Sequence, residues 1–174
     1  MLESRAGESN RHIVLKILAY LIFRDKVFPL PLEIERGVGQ RHKPDLVALD
    51  SLTGGIRLWV DCGQIQVIRL GRIVEKNPAA PIRIIKATMR EAELYSEAAS
   101  KGAGIEPNPK WDVKIIGFED GFIEKLESEL RGANSVKFSR NAREQKEFIN
   151  ILWNETPLES ALFSFTPFDN PETP

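Results

Sequence analysis

Cysteine is almost absent from this 174-residue chain, in which Cys62 stands alone. One thiol excludes an internal disulfide framework and argues against a thiolate-rich zinc site; it suits a reducing cytoplasm. Histidine is equally scarce, with only His12 and His42, which argues against an imidazole-rich metal centre. Neither sign of charge dominates, because 24 Lys and Arg face 25 Asp and Glu. No global charge therefore advertises nucleic acid or membrane binding, and a basic groove has to be argued from position. Long apolar runs are missing too: the stretch 13–23 is too short to span a bilayer and contains Lys16. Positions 1–10 are polar and carry both Glu and Arg, unlike a signal peptide. The expectation is a soluble cytoplasmic protein without a membrane partner, long enough for one domain with a sizeable core.

Periodic segments are plentiful. Ser9 or Asn10 can cap a first helix in which Ile13, Val14, Ile17, Leu18, Leu21 and Ile22 recur at helical spacing, ended by Pro29 and Pro31. Alternation predicts strands over 32–38, 45–50 and 56–61, the last two joined by a Thr53-Gly54-Gly55 turn. Helical patterning returns over 65–75, interrupted by Gly71 and stopped before Pro78. A strand over 81–86, a helix over 89–101 closed by Gly102, a strand over 111–118 and a helix over 121–131 follow. A short strand at 135–138, a final helix over 141–154 and a strand at 161–165 complete the expected order. The proline-rich tail 166–174 reads as frayed.

Chemistry concentrates around Lys43-Pro44-Asp45-Leu46 and Trp59-Val60-Asp61-Cys62-Gly63-Gln64. If the flanking strands pair antiparallel, Asp45 and Asp61 share one rim. Paired carboxylates of this kind suit Mg²⁺, which takes one or two carboxylates, keeps waters and leaves positions for phosphate oxygens. The same residues also suit ordinary strand ends, where Asp is common in turns. Spacing alone leaves both readings open.

The run Pro44-Asp45 followed by a strand ending in Asp61 resembles the Pro-Asp…(Asp/Glu)-x-Lys motif of the restriction-endonuclease-like nuclease superfamily. More specifically, the chain resembles the YaeQ family of bacterial proteins. The resemblance runs through Leu15-Lys16-Ile17-Leu18-Ala19-Tyr20, Leu32-Glu33-Ile34 with Gly37, Pro44-Asp45-Leu46 and Leu52-Thr53-Gly54. It continues through Ile56-Arg57-Leu58-Trp59-Val60-Asp61 and Gly63-Gln64; beyond Gln64 the elements follow in the same order with weaker residue matches. This implies an α/β fold with a restriction-endonuclease-like core: a mixed central sheet whose three-stranded antiparallel meander is flanked by helices. It fills a single domain, 1–165.

The resemblance further implies a Mg²⁺- or Mn²⁺-dependent phosphodiester hydrolase acting on DNA or RNA. Asp45 and Asp61 take the metal-ligand positions, and Glu8 matches an additional acid that such folds carry on the first helix. Glu8 also simply favours a helix N-terminus, and Glu33, at a matching family position, also reads as a solvated strand residue. The motif lysine is replaced: Gly63 stands in its place and Gln64 follows, reaching the site only if Gly63 makes a bulge or tight turn. A neutral amide orients water but supplies no cation. Arg69 and Arg72 are alternative sources of charge. So is a wider set, Arg36, Arg41, Lys43, Lys76, Arg83 and Lys86, which contacts phosphates only if it converges on the rim. The alternative to an enzyme is a catalytically inactive nuclease-fold module that binds nucleic acid or a regulatory protein.

Overall fold

Ser9 turns the chain into the first helix: its hydroxyl accepts the His12 backbone N–H at 3.3 Å, capping α1 (Asn10–Phe23). The computed structural model describes residues 8–102, 108 and 110–168. Val14, Leu15, Leu18, Ala19 and Ile22 of α1 are buried, a stripe centred one residue later than the Ile13–Ile17–Leu21 edge of the expected one. Lys16 is buried with them.

Strands β1 (Leu32–Ile34), β2 (Leu46–Leu49) and β3 (Ile56–Cys62) form an antiparallel meander. The first is shorter than the alternation predicts, because the chain turns at Glu35 into positive φ (48°). Helix α2 (Val67–Lys76) crosses to β4 (Ile82–Ile85), and α3 (Met89–Gly102) crosses to β5 (Val113–Gly117). Both new strands pair parallel to their predecessors, the geometry that requires a long crossover. Gly71 does not interrupt α2; it is buried there. After α4 (Phe122–Ser128) the chain forms β6 (Val136–Arg143), β7 (Lys146–Trp153) and β8 (Thr156–Phe165). The eight-stranded mixed sheet runs β1-β2-β3-β4-β5-β8-β7-β6, with four helices among the described residues.

The helix expected over 141–154 is therefore a β-hairpin. Ile149, Ile151 and Trp153 alternate into the core, a period of two that the neighbouring good helix formers obscured. Its turn is built at Glu144 and Gln145, both at positive φ (49° and 65°), without the Asn-Gly or Asp-Gly pair that normally announces such a turn. A second such turn, at Asn154 and Glu155 (φ 48° and 76°), leads into β8. Of the expected tail, Thr166–Phe168 are described, and Phe168 is buried with its ring edge-on to Trp111 at 5.5 Å. Positions 169–174 lie outside the described residues.

Alternation along β3 divides two cores. Leu58, Val60 and Cys62 join α1 and α4 on one face, while Trp59 packs with α2 and α3 on the other. A strand buried on both faces leaves little tolerance for a charge, which makes Asp61 the unusual residue of the sheet.

Candidate active site

The antiparallel register of β2 and β3 runs to the pair Leu46 and Val60, so Asp45, just before it, and Asp61, just after it, reach one rim of the sheet. Asp45 N–H donates to Val60 O at 3.0 Å, one residue out of that register, so Asp45 and Leu46 both face Val60 as in a β-bulge. One Asp45 oxygen, Oδ2, accepts the Cys62 N–H at 2.7 Å; the other, Oδ1, meets His12 Nε2 at 3.1 Å. Asp61 is only 3% exposed. Its Oδ2 accepts the Trp59 indole N–H at 2.9 Å, two residues back on the same strand face, and its Oδ1 accepts Arg69 Nη2 at 3.2 Å from α2. Burial pushes the Asp61 carboxyl up to about 6 against the opposing effects of the indole and Arg69, with Asp45 adding repulsion.

This shift has a measurable consequence. The folded-state value near 6 exceeds the ordinary 3.8, so the folded chain holds this proton where the unfolded chain releases it. The stability it confers is full below about pH 4 and falls by about 3 kcal/mol as pH rises through 6. Asp61→Asn is expected to remove that dependence: urea denaturation at pH 4.5 and pH 7 should show the variant gaining on the native chain only at the higher pH. A constant difference between the two would count against a protonated Asp61.

A polar stripe on α1 approaches the pair from the side. Glu8, His12 and Lys16 recur every four residues, and His12 Nε2 bridges Asp45 Oδ1 and Glu8 Oε1 at 3.1 and 3.2 Å. The hydrogen bond to Asp45 raises the proton affinity of His12 above the ordinary 6.5; burial opposes it, and the Asp45 and Glu8 charges assist. Lys16 reaches Glu8 at 2.5 Å and Glu35 at 2.8 Å, and Lys43 reaches Glu35 at 3.3 Å. Burial alone would lower the Lys16 amine; the bonds from Glu35 and Glu8 outweigh it and raise it. Lys16→Met strands two carboxylates beside it and is expected to cost about 3 kcal/mol in urea-unfolding free energy.

Asp45, Asp61, His12, Glu35, Lys43, Gln64 and Arg69 line a cavity of about 320 Å³. Glu8 lies outside it, on an adjoining cavity of about 380 Å³ that shares His12, Cys62 and Gln64. Gln64 enters both because Gly63 adopts φ +70°, a conformation that a side chain would strain, and a Cβ there would come within 3.4 Å of His12 Nδ1. The Gly63 carbonyl accepts Lys86 Nζ at 2.7 Å from the end of β4. That amine stacks 3.8 Å above the Tyr95 ring, and burial lowers it to about 8. Cys62 contributes its backbone only, since burial pushes its thiol well up.

The scattered cations sort themselves. Burial, and then the charges of Arg69, Arg41, Arg72 and Lys76, lower the proton affinity of His42. Gln40 and Asn77 exchange side-chain hydrogen bonds at 2.8 and 3.2 Å, tying this loop to the end of α2. Arg36 instead pairs with Glu33 at 2.7 Å, and Arg83 pairs with Asp112 at 2.8 Å, near the opposite end of the strands. His12, Lys16 and Glu35 were not singled out as site residues from sequence. The four-residue spacing of Glu8, His12 and Lys16 was the available signal for the first two; for Glu35 the turn at positive φ had none. Among the described residues, no group of three or more His, Cys, Asp or Glu side chains is arranged to hold a metal, and no helix is long and apolar enough to cross a membrane.

The family model of the YaeQ protein matches residues 5–147. The chain belongs to the YaeQ family. Two solved YaeQ structures agree in fold. The protein from Xanthomonas axonopodis pv. citri has a TM-score of 0.69 at 18% identity, covering 94% of this chain and 84% of its own. The protein from Pseudomonas syringae has a TM-score of 0.67 at 17% identity, covering 95% and 83%. No curated protein matches. All the carboxylates, the imidazole and the cations of the site fall inside the YaeQ match, which stops at Glu147, early in β7.

Proposed function

We propose that this YaeQ-family chain is a divalent-metal-assisted phosphodiester hydrolase acting on nucleic acid. In this reading its core is of the restriction-endonuclease-like, Pro-Asp…(Asp/Glu)-x-Lys type, with Asp-Cys-Gly-Gln at 61–64 in place of the usual ending. The observation that carries it is that Asp45 and Asp61 line one cavity together with Lys43 and Arg69, while the charges of Arg41, Arg72 and Lys76 act on His42 in the loop before Lys43.

The donor set fits a hard cation in kind. Mg²⁺ needs only one or two carboxylates and keeps the rest of its shell as water, so a cage of three or more protein ligands is unnecessary. Asp45 and Asp61 would hold it. When bound, the ion lowers the pKa of coordinated water and neutralises charge developing on the phosphate. The chain's own groups supply the remainder. Arg69 lines the cavity and bonds Asp61 through Nη2, which puts a guanidinium where a phosphate oxygen can meet it. His12, held between Asp45 and Glu8, carries a proton that it can release to a leaving oxygen. Gln64 reaches the cavity and can orient water, while Lys86 fixes the Gly63 turn that places it.

A second reading, a nuclease-fold module that binds nucleic acid or a regulatory protein without cutting, is favoured by one feature. All four rim oxygens already contact protein donors, Asp61 among them in an ion pair with Arg69. Labelled single- and double-stranded DNA and RNA incubated with Mg²⁺ or Mn²⁺ decide between them. Cleavage lost in Asp61→Ala supports the enzyme; binding without cleavage, insensitive to that change, supports the module.

A further inference from the structure

On the sheet face that α1 covers, the strand ends carry cations where the core pattern calls for apolar side chains. The parallel ladder sets Arg83 beside Lys114, on the face of Ile85 and Ile116 two residues later. Like charges side by side on a sheet repel. More cations converge there: Lys26 beyond the end of α1, Arg57 at the start of β3, and Arg140 and Lys146 from the β6–β7 hairpin. Together they line a cavity of about 610 Å³, walled by Ile22, Phe23, Leu58, Ile116, Leu162 and Phe165. Asp50, Asp112 and Glu147 answer Arg57, Arg83 and Arg140. Lys26, Lys114 and Lys146 have no acidic partner among the described residues. Burial lowers the Lys26 amine, and Arg140, Arg83 and Lys114 lower it further against Glu147, so these cations sense one another.

Arg140, another lining cation, is only partly satisfied by its neighbours. Its Nη1 meets Glu147 Oε1 at 3.2 Å, while Nε and Nη2 are buried with no partner. Those two nitrogens form one edge of the guanidinium that the surrounding protein shields and leaves without an acceptor, so part of the positive charge of Arg140 is uncompensated. We propose that this cavity binds a small organic anion, its phosphate or carboxylate head among Lys26, Lys114, Lys146 and Arg140 and its apolar body against the α1–sheet wall. The volume falls in the range of small-molecule sites, and the apolar side chains beside the cations offer a seat for the body of such a molecule. No lining residue is shared with the Asp45–Asp61 cavity, so the inference stands independently of the hydrolase reading.

Isothermal titration of the full chain with octyl phosphate, octanoate, inorganic phosphate and octan-1-ol, below micelle-forming concentrations, tests it. At least one of the two amphiphilic anions should bind about tenfold or more tightly than both inorganic phosphate and octanol, and the better head group identifies the ligand chemistry. Arg140→Gln should weaken that binding about tenfold, and the exposed Lys114→Gln should also weaken it, with melting temperatures unchanged and Asp61→Ala without effect. Three results would overturn the proposal: neither amphiphile outbinds inorganic phosphate, both lining variants bind normally, or a single-stranded oligonucleotide displaces octyl phosphate. The last would assign the face to nucleic acid.

Discussion

Asp61→Ala is expected to lower metal-dependent cleavage of nucleic acid by about a hundredfold or more, because a lost ligand forfeits several kcal/mol of transition-state charge stabilisation. The variant should still fold. It removes a carboxyl whose charge is disfavoured by burial, although Trp59 Nε1 and Arg69 lose their acceptor, at about 1–3 kcal/mol for groups left unsatisfied. Circular dichroism and melting curves recorded beside the cleavage assay separate a lost fold from a lost ligand. Activity should also fall below about pH 6, where a proton competes with the metal for Asp61. Asp45→Asn gives an independent check, since Asp45 is the more exposed of the two and bonds different donors. Unchanged cleavage in both variants would place any hydrolysis elsewhere in the chain.

Trp153→Ala is expected to destabilise the protein by about 3–5 kcal/mol, the usual cost of deleting a fully buried large aromatic. Trp153 is 0% exposed and closes β7 against the core of α1 and α4. Its indole N–H donates to Glu129 O at 3.4 Å, and the Asn154 amide donates to the same carbonyl at 2.8 Å, so the hairpin end is tied to the end of α4. Urea unfolding followed by fluorescence reads the loss, with Trp59 and Trp111 remaining as probes. A cost below about 1 kcal/mol would contradict the buried hairpin, because an exposed aromatic carries little of this energy.

Much of the architecture was legible because it rests on local rules. Ser9 caps α1, alternation marks β2 and β3, and Thr53-Gly54-Gly55 supplies the turn between them. The last two already bring Asp45 and Asp61 to one rim of the sheet. The β6–β7 hairpin was not legible, because Glu144-Gln145 reads as helix and adopts positive φ only within the paired strands. The site was half legible for a similar reason. Gln64 depended on the Gly63 turn, and Arg69 was one of several cations that composition could not rank.

What the sequence alone determined is the pair of aspartates, their strands and the Gly63-Gln64 step beside them. Pleat period and turn chemistry act over a few residues and need no distant partner. Only the tertiary structure decided what meets the pair. Packing α1 and α2 on opposite faces of β3 brings His12 to Asp45 and Arg69 to Asp61, and the parallel β4 delivers Lys86 to the Gly63 carbonyl. Those contacts follow from burying both faces of one strand, a constraint that lies between elements and not within any of them.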